Sequence, residues 1–303
     1  MIYINEIIKT YYKKSNIITL LLIVAIVLAF AFSQKNEGED VNWKNKLKEE
    51  NISYEKQIKK SNGDMKKVLS EKVYKNSVYI KEDINPNKYN QFNFINKTFP
   101  IFLIISLYSL IISSSTINDE YRYNTIKNIQ CSPQNSMKII LNKYLACLTL
   151  SGIFLIILFI LTYFIGGIIH GFAPLNNKTI YFSPKPYLEF SINHILKVYA
   201  GSYLFLCLMI SINILLASII RIQSLTVIVG MLIMLFHVQI AQKLPNFDYD
   251  DFFVLQQLDI KNKILLWSAQ QEYYNIIVSF MFITFYIIVF LVLSSIFFKR
   301  KSV

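Results

Sequence analysis

Six apolar stretches, at roughly 17–33, 99–117, 145–169, 198–220, 224–241 and 276–298, constrain this chain more than any other feature. About 20 apolar residues in a helix cross the ~30 Å hydrocarbon core of a bilayer, because each residue advances ~1.5 Å. Asn213 is the single strongly polar side chain of 198–220, and 276–298 carries none beyond Ser, Thr and Tyr. Lipid offers backbone N–H and C=O groups no partner, so such segments bond internally and become helices. The fold class that follows is an all-α membrane protein with six transmembrane helices. Charge agrees: the chain is 54% hydrophobic yet carries a net +12, so its charges are concentrated between the apolar runs. A soluble protein of this length would spread them over periodic helix faces.

Lys and Arg in the short flanks set the orientation. One side holds eleven: Lys9, Lys13, Lys14, Arg122, Lys127, Lys138, Lys143, Arg221, Lys299, Arg300 and Lys301. The other side holds six in its two short loops: Lys178, Lys185, Lys197, Lys243, Lys261 and Lys263. The excess places both termini in the cytoplasm. The lysine-rich stretch 34–97 opposes this count, but segments of about 60 residues translocate largely regardless of charge. The basic residues are read as membrane-flank charge, with membrane lipids as their partner and no nucleic acid.

Residues 1–16 read as a cytoplasmic amphipathic helix ahead of the first span at 17–33. Ile4, Ile7, Ile8, Tyr11 and Tyr12 share one face, and Asn5, Glu6, Lys9, Thr10 and Lys13 the other, with the lysines expected toward lipid headgroups. A cleavable signal peptide ending near Ala29-Phe30-Ala31 is the alternative. The 34–97 stretch reads as an extracellular helical insertion. Trp43, Leu47, Tyr54 and Ile58 recur at helical spacing, as do Met65, Val68, Leu69 and Val73. Ser61-Asn62-Gly63-Asp64 breaks the pattern between them, with Asp64 the expected helix cap. Residues 98–303 form the remaining five-span body. In its outer loop 242–275, Asp248, Asp250 and Asp251 lack the glycine and terminal glutamate of a calcium loop and read as solvated charge.

Several chemistries have no residues to carry them. The eight glycines never form GxxxxGK[ST], which a backbone phosphate cradle requires. No HExxH, GxSxG or paired intramembrane carboxylate occurs, and Cys131, Cys147 and Cys207 have no metal-site spacing. His237 alone of the three histidines falls in an apolar segment, as a cavity-lining or a structural residue. No catalytic, cofactor-binding or metal-ligating residue is assigned, and an enzyme is not indicated.

The stretch between the second and third spans is the informative one. Asn118 can cap a helix with Asp119 and Glu120 in its first turn, and Tyr123, Ile126 and Ile129 follow at helical spacing until Ser132-Pro133 stops the run. A new helix starts near Ser136 and enters the membrane through Lys138 and Lys143. The order Glu120…Thr125-Ile126-Lys127…Ser132-Pro133…Lys143-Tyr144-Leu145 resembles the signature of ABC-2-type transporter permeases. In that family a Glu precedes Gly-Thr, an apolar turn, a Pro and a basic residue, and a Lys opens the third span. Asn124 stands here in place of the Gly, and Met137 where an Arg is common. Gly166-Gly167 at the end of the third span and the basic C-terminal end extend the likeness over the chain, which looks most like the bacitracin-resistance and lantibiotic-immunity branch.

The resemblance implies a permease subunit energised by a separate cytosolic ABC ATPase dimer, which would hold the ATP and magnesium, and a second permease subunit, identical or not. Residues 118–140 would be the coupling segment. Glu120, Tyr123, Thr125, Ile126, Lys127, Ile129 and Pro133 would engage the ATPase, the apolar face in a groove and Glu120 and Lys127 at its rim. Amphiphilic peptide, antibiotic or lipid-like cargo is expected in a bacterial plasma membrane. The alternative is a membrane sensor or assembly protein whose outer domain binds a ligand without transport.

Overall fold

A computed structural model describes residues 2–33, 42–60, 63–86, 88–125, 135–183, 185–243, 254–268 and 276–300. Its helices are α1 (Ile2–Tyr11), α2 (Lys14–Ser33), α3 (Trp43–Ile58), α4 (Asp64–Lys81), α5 (Gln91–Thr98), α6 (Phe102–Arg122), α7 (Ser136–His170), α8 (Ser191–Ile220), α9 (Gln223–Lys243), α10 (Val254–Gln257), α11 (Ile260–Ser268) and α12 (Ile276–Arg300). Strands β1 (Lys178–Ser183) and β2 (Lys185–Phe190) lie between α7 and α8. Among the described residues, six stretches are long and apolar enough to cross a membrane: Lys14–Ser33, Gln91–Arg122, Ser136–His170, Ser191–Ile220, Gln223–Ile240 and Ile277–Lys299. They coincide with the six apolar runs of the sequence and make this a polytopic helical membrane protein.

The chain divides into two compact units, Met1–Val27 with Phe99–Leu161 and Leu196–Val303, and Leu28–Thr98 with Thr162–Ile195. In the first unit, α1 turns into α2 at a corner built by Asn16. Its buried amide donates to the carbonyls of Thr10 (3.0 Å) and Tyr11 (2.6 Å), two of the orphan acceptors at the end of α1, and its Oδ1 accepts from Tyr108 of α6 (2.7 Å). Further along, α6, α8 and α9 meet around Asn213, whose Nδ2 donates to Leu110 O and Ser113 Oγ, both at 2.7 Å. Gly230 of α9 makes room for it, because a Cβ there would lie 2.8 Å from Asn213 Oδ1. The serines of α6 return their hydroxyls to carbonyls three or four residues back, as Ser109 does to Ser106 O and Ser113 to Ser109 O, so these buried hydroxyls are satisfied within the helix. His237 Nδ1 lies 2.8 Å from Met234 O in its own helix.

In the second unit, α3 and α4 pack as an antiparallel hairpin, as the two helical spacings predict. Leu47 and Leu69 are its buried apolar side chains, and Lys44–Asp83 (2.7 Å) ties its open end. Two details differ from the sequence reading. Met65 and Val68 are exposed, so the inward stripe of α4 runs through Leu69 and the half-buried Val73. The cap position of α4 belongs to Gly63 rather than Asp64, with φ +65°, a backbone that glycine adopts without steric cost. Asn90 caps α5 by accepting from Phe92 N (2.9 Å) and Asn93 N (3.2 Å), and Gln91 exchanges two hydrogen bonds with the backbone of Ala173. Helix α5 reaches close to α7 at Gly166, where a Cβ would stand 2.9 Å from that of Phe94. The antiparallel β1–β2 pair, with Ile180 opposite Leu188 and Tyr181 opposite Tyr187, is an addition to the all-α expectation. Burial pushes the Tyr181 phenol above its ordinary range. Asp248, Asp250 and Asp251 lie outside the described residues.

Candidate functional site

Helices α1, α6 and α7 bring six charges together. On α1 and the turn after it, Glu6, Lys9 and Lys13 recur three and four residues apart and so share a face. Asp119 and Glu120 come from the last turn of α6, and Lys143 from the third turn of α7. Lys143 has no exposed surface and Glu120 1%. An ammonium has three hydrogens to donate, and Lys143 Nζ meets three acceptors: Glu120 Oε1, Thr116 O at 3.0 Å and Glu6 Oε1 at 3.3 Å. Lys9 Nζ approaches Glu120 Oε1 at 3.5 Å from a side chain 49% exposed. Lys13 Nζ donates to Asp119 Oδ2 (2.7 Å) and Ser115 Oγ (2.6 Å). Three carboxylates and three ammonium groups thus compensate one another, the condition for holding charge out of water. Tyr3, its hydroxyl 2.6 Å from Thr149 Oγ1, adds a neutral tie from α1 to α7.

This arrangement gives Lys9 and Lys13 protein carboxylates as partners in place of the lipid headgroups expected for them. The polar face of α1, Glu6, Lys9, Thr10 and Lys13, is turned toward α6 and α7, while Ile4, Ile8, Tyr11 and Tyr12 are exposed. The polar face supplies counter-charges to the buried Glu120 and Lys143, and the apolar face stays exposed, as an amphipathic helix requires. Two further expectations are corrected. Asn118 is an interior residue of α6 rather than a helix cap, its Nδ2 donating to Thr226 Oγ1 of α9 (3.2 Å). Glu120 is closed off within this cluster rather than free to form a rim contact.

The end of α6 is built by local chemistry. Thr125 N–H bonds to Glu120 O (3.0 Å) and Asn124 N–H to Tyr121 O (3.3 Å), the double closure of a Schellman motif. Asn124 carries the positive φ, 55°, that this motif demands. Glycine meets that demand most easily and asparagine next, so Asn124 at the family's glycine position keeps the turn. At the start of α7, Asn135 Oδ1 accepts from Met137 N (3.2 Å), a cap that fixes the first turn after the intervening segment.

Of the residues singled out in the sequence, Glu120 is buried in the ionic cluster, and Tyr123 and Thr125 are exposed at the end of α6. Ile126, Lys127, Ile129 and Pro133 lie outside the described residues. Glu120 and Lys143, the two charged ends of the family pattern, are brought into direct contact. Sequence reasoning missed Glu6, Lys9, Lys13 and Asp119 as members of the site. The signal was present in the Glu6–Lys9–Lys13 spacing, which places the three charges on one helical face.

The profile described as "ABC-2 family transporter protein" matches residues 1–303, the whole chain. The uncharacterized protein YhcI of Bacillus subtilis (strain 168) is 24% identical over 171 residues, which is 55% of this chain and 54% of that protein. The chain thus spans about half the length of the curated relative it matches. No solved structure matches it.

Proposed function

Since the chain belongs to the ABC-2 family of transporter proteins, we propose that it is the membrane-spanning subunit of an ATP-driven exporter. The whole-chain family match carries this reading. The absence of a phosphate loop from the sequence supports placing ATP and magnesium in a partner, a cytosolic ABC ATPase dimer. The flanking charges support a bacterial plasma-membrane protein with both termini in the cytoplasm and the α3–α4 hairpin outside. A second permease subunit completes the transporter. Its cargo is amphiphilic peptide, antibiotic or lipid-like, in keeping with spans that bury Ser, Thr and Asn but few charges.

The coupling segment 118–140 joins α6 to α7 and engages the ATPase through Tyr123, Thr125, Ile126, Lys127, Ile129 and Pro133. Glu120 acts differently, as a positioning residue. Through Lys143 it fastens α6 to α7 and, through Lys9 and Glu6, both to α1, so that a push on the segment moves three helices together. Export follows as the two subunits rock apart and close again with the ATPase cycle.

Co-purification of the chain with its ATPase, combined with transport in reconstituted vesicles, tests this. Truncating a buried contact anchor costs ~2 kcal/mol or more, so Tyr123→Ala and Ile126→Ala are expected to weaken ATPase association by roughly thirty-fold. Ile126→Asp should be more severe, because it adds an unpaired charge to a desolvated contact. Lys59→Ala with Lys60→Ala should leave association unchanged. Full association and transport in both Tyr123→Ala and Ile126→Asp would refute the coupling role.

A further inference from the structure

Beside the ionic cluster, α1, α2, α6 and the start of α9 line a cavity of about 580 Å³. Its walls carry four cations, Lys9, Lys13, Lys14 and Arg122, and one carboxylate, Asp119. Lys13 is taken by Asp119 and Lys9 leans on Glu120. Lys14 and Arg122 have no carboxylate within ion-pair distance among the described residues, and both are exposed. Ser15, Ser115 and Gln223 add hydrogen-bonding groups, so the cavity is equipped for an anion that brings several acceptor oxygens.

Position narrows the class of anion. Lys14 opens the span α2 and Arg122 closes the span α6, so both stand at the boundary between apolar helix and polar flank, the depth of lipid headgroups. The cavity also extends to Ile111, eleven residues before Arg122 on α6 and roughly 16 Å deeper. A free phosphate is too small to span from Arg122 to Ile111, whereas a lipid with an acyl chain below its headgroup does. We propose that this cavity binds an anionic phospholipid, its phosphate held by Lys14 and Arg122 and one acyl chain directed toward Ile111. The inference does not rest on the ATPase partnership, since its readout is lipid retention by this chain alone.

The purified chain is placed in nanodiscs of phosphatidylcholine containing a small fraction of phosphatidylglycerol, and retained lipids are counted by native mass spectrometry across a titration. Each basic residue near the headgroups is worth about a five-fold change in affinity. Lys14→Ala/Arg122→Ala should therefore lose roughly thirty-fold in phosphatidylglycerol affinity. Lys14→Arg/Arg122→Lys, which keeps the charge, should retain the lipid and shows that the cavity itself persists. Equal retention by the wild type and the alanine variant, or equal retention of phosphatidylcholine and phosphatidylglycerol, would overturn the proposal. Thermal stabilisation in detergent by inorganic phosphate without phosphatidylglycerol retention would also overturn it, assigning the cavity to a soluble anion.

Discussion

Lys143→Met removes the ammonium from the ionic cluster while keeping an unbranched side chain of similar reach. It leaves Glu6 and Glu120 facing one another with a single nearby counter-charge, Lys9. At the 3.3 Å between Lys143 Nζ and Glu6 Oε1, two unit charges attract by about 5 kcal/mol at an effective dielectric near 20. Desolvation cancels much of that while the pair is intact, so the pair itself adds little net stability. Once one partner is gone the desolvated carboxylates are uncompensated, and the expected cost is about 3–5 kcal/mol. Glu120→Gln should be milder, about 1–3 kcal/mol, because Lys143 keeps Glu6 and Thr116 O and the amide still accepts a hydrogen bond. The double variant should cost less than the sum of the two singles by about 0.5–3 kcal/mol, since the second change removes a charge the first had stranded. Thermal unfolding of the purified chain in detergent, followed by circular dichroism, ranks the three. An unfolding temperature for Lys143→Met equal to that of the wild type, or strict additivity in the double variant, would refute the description of this cluster as a compensated buried charge site.

At the end of α6, Asn124→Gly should leave stability unchanged or slightly raised, whereas Asn124→Val forces a β-branched residue into positive φ and should cost about 1–2 kcal/mol; thermal unfolding distinguishes them, and equal effects would remove the turn argument. In the α3–α4 hairpin, Leu47→Asp and Leu69→Asp each forfeit about 1.5–3 kcal/mol of apolar burial and should raise protease cleavage within 43–81, while Val68→Asp should not. Cleavage that rises equally for Val68→Asp would show that the inward face of α4 has been misplaced.

The six spans were legible because length and hydrophobicity together decide membrane crossing, and neither depends on a distant residue. The α3–α4 hairpin was legible for a similar reason, its apolar positions and its Gly63 break being local. The face of α4 was not: Val68 and Leu69 are both apolar neighbours, and only packing decides which one turns inward. The β1–β2 pair was passed over although Thr179-Ile180-Tyr181 has the β-branched and aromatic character of a strand. A segment between two spans reads first as a loop. Within the candidate site, the order of Glu120 and Lys143 was visible but their contact was not, because 23 residues separate them. The partners of the α1 charges were misread for a specific reason. Amphipathicity says that the two faces differ, while what the polar face meets depends on charges more than 100 residues away.

The contact between Glu6 and Lys143 spans 137 residues of chain. At ~5–20 residues per second, a ribosome needs roughly 7–27 s to travel from one to the other. For that interval α1 has been synthesised but its counterpart on α7 does not exist, and Glu6 must keep its water. The clasp therefore closes only when the third span has been delivered, after α2 and α6. Lys9 and Lys13 can meet α6 earlier, so it is the hydration of Glu6 alone that reports whether the third span has arrived.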